Sequence, residues 1–276
     1  MSGSCERVEG CYVSASQTIA SHPRPSDSSA DMDLKVERQL IVFDFDWSLA
    51  DQDSDRWIFE VLAPDLRRKM KTLKDEVQWT DLVASSLREL HARGTPRESI
   101  EDALKTMPFH PAMTRAVKTL KAKVNPETKF LCLSNANSVF IPTILKEKGL
   151  EDLFEEITTN PAEWDPSGLL KLRRRIDPSG PQHNCKVGCS PNMCKGEELD
   201  SFLARHLPAF DRVVYIGDGS NDFCPILRLR SSDVVLCRRY RGLQGRIERE
   251  GKTAGLKAHV HYWAGAWEVE ELFQQL

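Results

Sequence analysis

From Pro111 onward the sequence alternates short apolar runs of strand type with amphipathic runs of helical spacing. The order is helix AMTRAVKTLKAKV, strand KFLCLS, helix VFIPTILKEKG, strand EEITTN, helix GEELDSFLARHL, strand RVVYIGDG, a short helix from Phe223, strand DVVLC and helix QGRIERE. This alternation predicts an α/β chain, a Rossmann-like parallel sheet with helices on both faces. Ligands of such sheets bind beyond the carboxyl ends of the strands.

The first strand of the chain precedes that pattern. The stretch QLIVFDFDWSLADQDSD runs four apolar residues into carboxylates, with Asp44 and Asp46 two apart and Asp51, Asp53 and Asp55 close behind. Strand side chains alternate faces, so Asp44 and Asp46 are expected to point the same way at the strand's end, where like charges repel. A divalent cation is the natural compensation, because Mg2+ takes oxygen ligands and leaves room for water and a substrate phosphate. Between Arg56 and Met107 the apolar residues fall at helical spacing, broken by Pro and Gly, with no convincing strand. The expected organisation is a disordered Ser-, Asp- and Pro-rich tail over residues 1–35, an α/β core over 36–55 and 108–276, and a helical cap over 56–107.

Composition excludes several classes of function. A net charge of −3 and an isoelectric point near 6.2 give no basic footprint for nucleic acid. No apolar run approaches the ~20 residues of a membrane helix, and the amino-terminal stretch lacks the apolar core of a secretory signal, so the expected location is cytoplasmic, with no membrane partner. Eight cysteines in a chain of 276 residues are too sparse for a disulfide scaffold, which leaves reduced thiols as the default.

Three strands end in reactive groups: Asp44 and Asp46 after IVF, Ser134 and Asn135 in FLCLSNAN, and Asp218 and Asp222 in VVYIGDGSNDF. Lys195 opens a helix between the second and third. On a phosphate ester, Asp44 would attack phosphorus to form an aspartyl phosphate. Mg2+ held by Asp44, the Asp46 backbone carbonyl and Asp218 would screen the repulsion, with Lys195 adding positive charge. Ser134 and nearby amides, including that of Asn135, would donate to phosphate oxygens. Asp46 would protonate the leaving oxygen and later deprotonate the attacking water. Taken singly, each feature has a blander explanation: a solvated D-x-D turn, a helix-capping serine, a GDGSND turn, a surface lysine. Four of them in one order, three following apolar runs, reverse those odds.

This ordered set resembles the haloacid dehalogenase (HAD) superfamily of phosphohydrolases, through DFDWS from Asp44, LSNAN around Ser134, Lys195, and GDGSND from Gly217. The helical insertion resembles the cap of the phosphoserine-phosphatase-like branch. DFDWSLADQDSD, SPNMCK and YIGDGSNDFCP are similar to the family of phosphoethanolamine/phosphocholine phosphatases and their pyridoxal phosphate phosphatase relatives, over roughly Gln39 to the carboxyl terminus. The resemblance implies a nucleophile at Asp44, an acid/base at Asp46, magnesium at Asp44, Asp46 and Asp218, and Asp222 close by, alongside the metal or on a metal-bound water. Members acting on choline or ethanolamine phosphates carry an acid at the position of Asp55 and a second acid at that of Asn135. Loss of the second carboxylate weakens attraction for a quaternary ammonium. Trp47 stands where an acid is usual, and would narrow the entrance or simply pack.

The expected partner is a small-molecule phosphate ester, phosphoethanolamine- or phosphocholine-like, with pyridoxal phosphate, thiamine monophosphate and pyrophosphate as alternatives. A silent phosphate-binding regulator would need neither nucleophile nor acid, and both are present. His183, Cys185, Cys189 and Cys194 are spaced loosely like zinc ligands but lack paired C-x-x-C motifs, which favours free thiols in an ordered loop. The basic runs KLRRR (Lys171 to Arg175) and RRYRG (Arg238 to Gly242) have the composition of solvated faces.

Overall fold

The computed structural model describes residues 35–276; the tail expected over residues 1–35 lies, apart from Lys35, outside the described residues. The chain opens with β1 (Arg38–Phe43), continues through α1 (Ser54–Leu62), α2 (Pro64–Leu73), α3 (Trp79–Ala92), α4 (Arg97–Lys105) and α5 (Pro111–Ala122), and returns to the sheet as β2 (Glu127–Asn137). There follow α6 (Phe140–Glu147), β3 (Glu156–Asn160), β4 (Ala162–Trp164), β5 (Leu170–Leu172) and α7 (Lys195–Arg205). The last part is β6 (Arg212–Gly217), α8 (Phe223–Ile226), β7 (Val234–Arg238), α9 (Gly242–Arg246), β8 (His259–Trp263) and α10 (Ala266–Gln274).

Six strands form one parallel sheet in the order β3-β2-β1-β6-β7-β8. β1 lies inside it, and every residue after Arg38 is buried, as a strand covered on both faces requires. Alternation divides its side chains. Ile41 and Phe43 enter one apolar cluster, while Leu40 and Val42 enter the cluster on the opposite face. Phe43 sits among aromatic rings, with centroids 5.4 Å from Phe130, 5.8 Å from Phe154 and 6.1 Å from Phe273, all edge to face.

Register positions the functional ends. Phe43 pairs with Cys132 on β2 and with Ile216 on β6, so Asp44 and Asp218, which follow their strands, and Ser134, within β2, lie at the same edge of three adjacent strands. The stretch between β1 and β2 is helical, with no strand among its described residues. Asp53 caps α1 by accepting from the Arg56 amide, Gln78 caps α3 in the same way, and Pro111 occupies the first turn of α5. Ile58, Phe59, Leu66, Met70, Leu87 and Leu104 of the inserted helices join the cluster that contains Phe43.

The α/β class and the alternating order agree with the sequence. Absent from that reading are the β4–β5 hairpin, the edge strand β8 and α10. β4 and β5 have three residues each, too short to carry a period, and β8, HVHYW, buries only Trp263 and lacks the apolar run that marks the other strands.

Truncating Phe43 to Ala removes the ring at the centre of the aromatic group and should destabilise folding by about 3–5 kcal/mol in urea titration. A loss under about 1 kcal/mol would mean that this cluster does not anchor β1.

Candidate active site

β1 ends at Phe43, one residue before the acidic pair. Asp44 still donates its amide to the Ile216 carbonyl at 2.9 Å, and then the chain folds into a wide helical turn, closed by Leu49 N to Asp44 O and Ala50 N to Phe45 O. Asp44 and Asp46 therefore do not share a face by strand alternation, as the sequence suggested. Asp46 is extended, at φ −69° and ψ 128°, and Trp47 is left-handed at φ 59°. That turn brings both carboxylates to one cavity of about 320 Å³, together with Ser134, Asn135 and Asp218. The conformation of Trp47 is strained for a side chain of its size. Arg238 of β7 secures it, donating to the Trp47 carbonyl at 2.7 Å and to Asp51 at 2.5 Å.

Lys195, the first residue of α7, is 1% exposed. Its Nζ donates to Asp44 Oδ1 and to Asp222 Oδ1, both at 2.7 Å. Burial alone would depress the ammonium, but Asp222 and Asp44 outweigh it and hold it above the usual lysine range. Asp222 has no accessible surface: Oδ1 also accepts from the Tyr215 hydroxyl at 2.8 Å, and Oδ2 accepts from the amides of Asp218 and Gly219. Gly217 makes room for this, since a Cβ there would lie 2.7 Å from the Asp222 carboxyl.

The carboxylate oxygens of Asp44, Asp218 and Asp222 lie within 4.8 Å of one another. Burial, with Asp222 adding to it and Lys195 opposing, pushes Asp44 up to about 6. Burial, with Asp44 and Asp222, pushes Asp218 up to about 8. Asp46 accepts from the Ser54 amide at 2.8 Å and is held well above the usual carboxylate range by burial, then by Asp53 and Asp55.

The family model described as "Putative Phosphatase" matches residues 39–276. The chain belongs to this family. It is 34% identical over 232 residues to Inorganic pyrophosphatase 1 of Arabidopsis thaliana, covering 82% of this chain and 75% of that protein. It is 31% identical over 246 residues to Pyridoxal phosphate phosphatase PHOSPHO2 of Bos taurus, covering 86% and 98% respectively. A HAD family hydrolase from Salmonella enterica subsp. enterica serovar Typhi shares the fold, with a TM-score of 0.59 at 15% identity over 87% of this chain and 72% of the other. This chain is thus a phosphatase related to PHOSPHO2, with the fold of a HAD family hydrolase. Among its described residues no helix is long and apolar enough to cross a membrane.

The remaining expected residues are distributed as follows in this phosphatase. Ser134 is buried in β2 three residues before its end, its Oγ accepting from the Ala136 amide at 3.2 Å. The Asn135 side chain is tied into an amide network, donating to Asn192 at 3.3 Å and accepting from Asn221 at 3.0 Å. Asp55 accepts from the Trp79 indole at 2.9 Å, and burial with Asp53 nearby pushes it up to about 7. Arg241 also lines the cavity, lying 3.8 Å over the Trp47 ring. It belongs to the RRYRG run read as a solvated face, and no local pattern marks it, since its place depends on β7 lying beside β6. The KLRRR run is tied down by ion pairs rather than simply solvated: Arg174, partly buried, pairs with Asp81, Arg175 with Glu198 and Lys171 with Asp165.

Asp44, Asp55 and Asp218 keep their protons to about 6, 7 and 8, far above an ordinary aspartate. The folded state therefore binds more protons than the unfolded one between about pH 4 and pH 8, and stability falls as pH rises through that window. With a chelator present, the melting temperature should drop from pH 5 to pH 8, and Asp218→Asn should flatten the upper part of the decline. A flat or rising profile would contradict the crowding of these acids.

Proposed function

We propose that this phosphatase hydrolyses small phosphomonoesters or pyrophosphate through an aspartyl phosphate on Asp44, with Mg2+ as cofactor. The reading rests on one observation: an oxygen-only set of carboxylates gathered around the buried ammonium of Lys195 at the ends of adjacent strands. Such hard donors suit Mg2+ rather than a soft ion. The ligands would be the carboxylates of Asp44 and Asp218 and the backbone carbonyl of Asp46. Asp222, whose oxygens already accept four hydrogen bonds, would stand beside the metal rather than on it. Bound Mg2+ supplies positive charge that draws the phosphate in and lets anionic Asp44 approach it.

The protein's own groups carry the steps. Lys195 aims the Asp44 carboxylate and favours its ionised form. Asp44 oxygen attacks phosphorus, the bond from phosphorus to the leaving oxygen breaks, and Asp46 gives its proton to that oxygen. Asp46 then takes a proton from water, which attacks phosphorus, breaks the bond to Asp44 and releases inorganic phosphate. The raised pKa of Asp46 supports the acid half of this cycle, since a proton must still be present near neutral pH. Ser134 and the adjoining amides of β2 are the donors available to phosphate oxygens.

A second observation bears on the leaving group. Among the described residues the Arg241 side chain makes no hydrogen bond or ion pair and offers its guanidinium at the cavity wall, while a face of Trp47 is covered by Arg241 and one of Trp79 by Arg56. A quaternary ammonium would meet a cation there rather than a bare aromatic face, and the Asn135 oxygen is already engaged. This favours pyrophosphate or pyridoxal phosphate over phosphocholine, phosphoethanolamine or thiamine monophosphate.

A substrate panel with and without Mg2+ tests both parts. Asp44→Asn should abolish turnover with the fold intact, and Asp46→Asn should lower kcat by at least about a hundredfold. Arg241→Ala should raise KM for pyrophosphate and pyridoxal phosphate about tenfold, as loss of one charge-assisted contact predicts, and leave phosphocholine unaffected. Turnover surviving Asp44→Asn would overturn the mechanism. Equal effects of Arg241→Ala on all substrates would remove the anionic preference.

A further inference from the structure

Away from the carboxylates, four cysteines from three segments come together. Cys185 and Cys189 lie in the connection between β5 and α7, Cys194 immediately precedes α7, and Cys224 is the second residue of α8. All four sulfurs lie within 4.8 Å of one another, with Cys185 to Cys189 at 3.6 Å, Cys185 to Cys224 at 3.5 Å and Cys194 to Cys224 at 3.7 Å. None is in a disulfide. A zinc ion with four sulfurs at 2.3 Å has tetrahedral edges of about 3.8 Å, so the sulfurs stand close to the spacing such an ion imposes. Core packing of thiols does not account for them, because Cys185 and Cys189 are only half-buried.

We propose that Cys185, Cys189, Cys194 and Cys224 form a tetrathiolate Zn2+ site, distinct from the catalytic carboxylates. Soft sulfur donors in a tetrahedral set select zinc over the hard ion of the active site. The surroundings suit a negatively charged cluster. The Val187 amide donates to Cys185 at 3.4 Å, the Glu197 amide is directed at Cys194, and the Arg228 guanidinium lies beside Cys224. Gly196 is required for this approach, since a Cβ there would lie 2.5 Å from the Cys224 sulfur and 3.2 Å from Arg228 Nε. His183, which the sequence grouped with these cysteines, is instead bonded through Nε2 to the Ser190 carbonyl at 2.9 Å, bracing the loop; Cys224 takes its place. On binding, the four thiols lose their protons to solvent and no redox change occurs.

The location gives the ion a structural role. Cys194 is the neighbour of Lys195, and Cys224 follows Asp222 by two residues. Zinc would pin the start of α7 to the start of α8, and so fix the Lys195 to Asp222 bond on which the site's geometry rests.

The full chain, purified under reducing conditions without chelator, should carry about one zinc per molecule by elemental analysis, retained through dialysis that strips Mg2+. Replacement by Co2+ should give the sulfur-to-cobalt charge-transfer absorption of tetrahedral thiolate ligation, a readout that needs no variant. Cys185→Ser, at a half-exposed ligand, should lower bound zinc at least about tenfold and weaken that absorption. The proposal fails if the wild-type chain holds no zinc, gives no cobalt-thiolate band and reacts at all four thiols with a thiol reagent. Iron in place of zinc, a disulfide between any two of the four, or zinc content unchanged in Cys185→Ser would also overturn it. None of these readouts depends on phosphatase activity.

Discussion

The interaction on which the site depends is the Lys195 ammonium, buried between Asp44 and Asp222. Desolvating such an ion costs several kcal/mol, and removing one partner of a buried pair typically destabilises by about 3–5 kcal/mol. The same ammonium meets only part of a second problem. Asp44, Asp218 and Asp222 crowd their oxygens together, and one positive charge cannot neutralise all three. The site is left deficient in positive charge, with Asp44 and Asp218 reluctant to ionise. This shortfall of positive charge is what supports the proposed cation.

Topology explains how residues 151 positions apart meet. Parallel strands in register bring their carboxyl ends to one edge, and the central place of β1 between β2 and β6 puts Asp44 at the middle of that edge. α7 then enters with Lys195 at its first position. Side chains from the GDGSND loop turn inward, because Asp222 accepts from the amides of its own loop and from Tyr215 of β6. Asp222 is thus supported by backbone amides and in turn holds the Lys195 ammonium.

Much of this was legible in the residues. The strand and helix periods place the sheet, and the polar groups following three apolar runs mark its functional edge. What was not legible depends on contacts remote in sequence. Strand alternation misjudged how Asp44 and Asp46 converge, because the chain leaves β1 at Phe43 and the left-handed Trp47 redirects it. Asn135 reads as a free ligand until Asn192 and Asn221 are seen to occupy it. Arg241 reads as solvated until β7 carries it to the cavity, and Cys224 lies 30 residues beyond Cys194, outside any compact spacing motif. The hairpin strands β4 and β5 are too short to carry a period, and β8 has no continuous apolar run to mark it.

The central claim is that Asp44 carries the phosphoryl group between its two displacements. Acid-quenching the enzyme during turnover and reducing it with borohydride converts an aspartyl phosphate to homoserine, which peptide mass spectrometry locates. The account predicts homoserine at position 44 alone. Reduction at another aspartate, or none while phosphate release is burst-like, would contradict it.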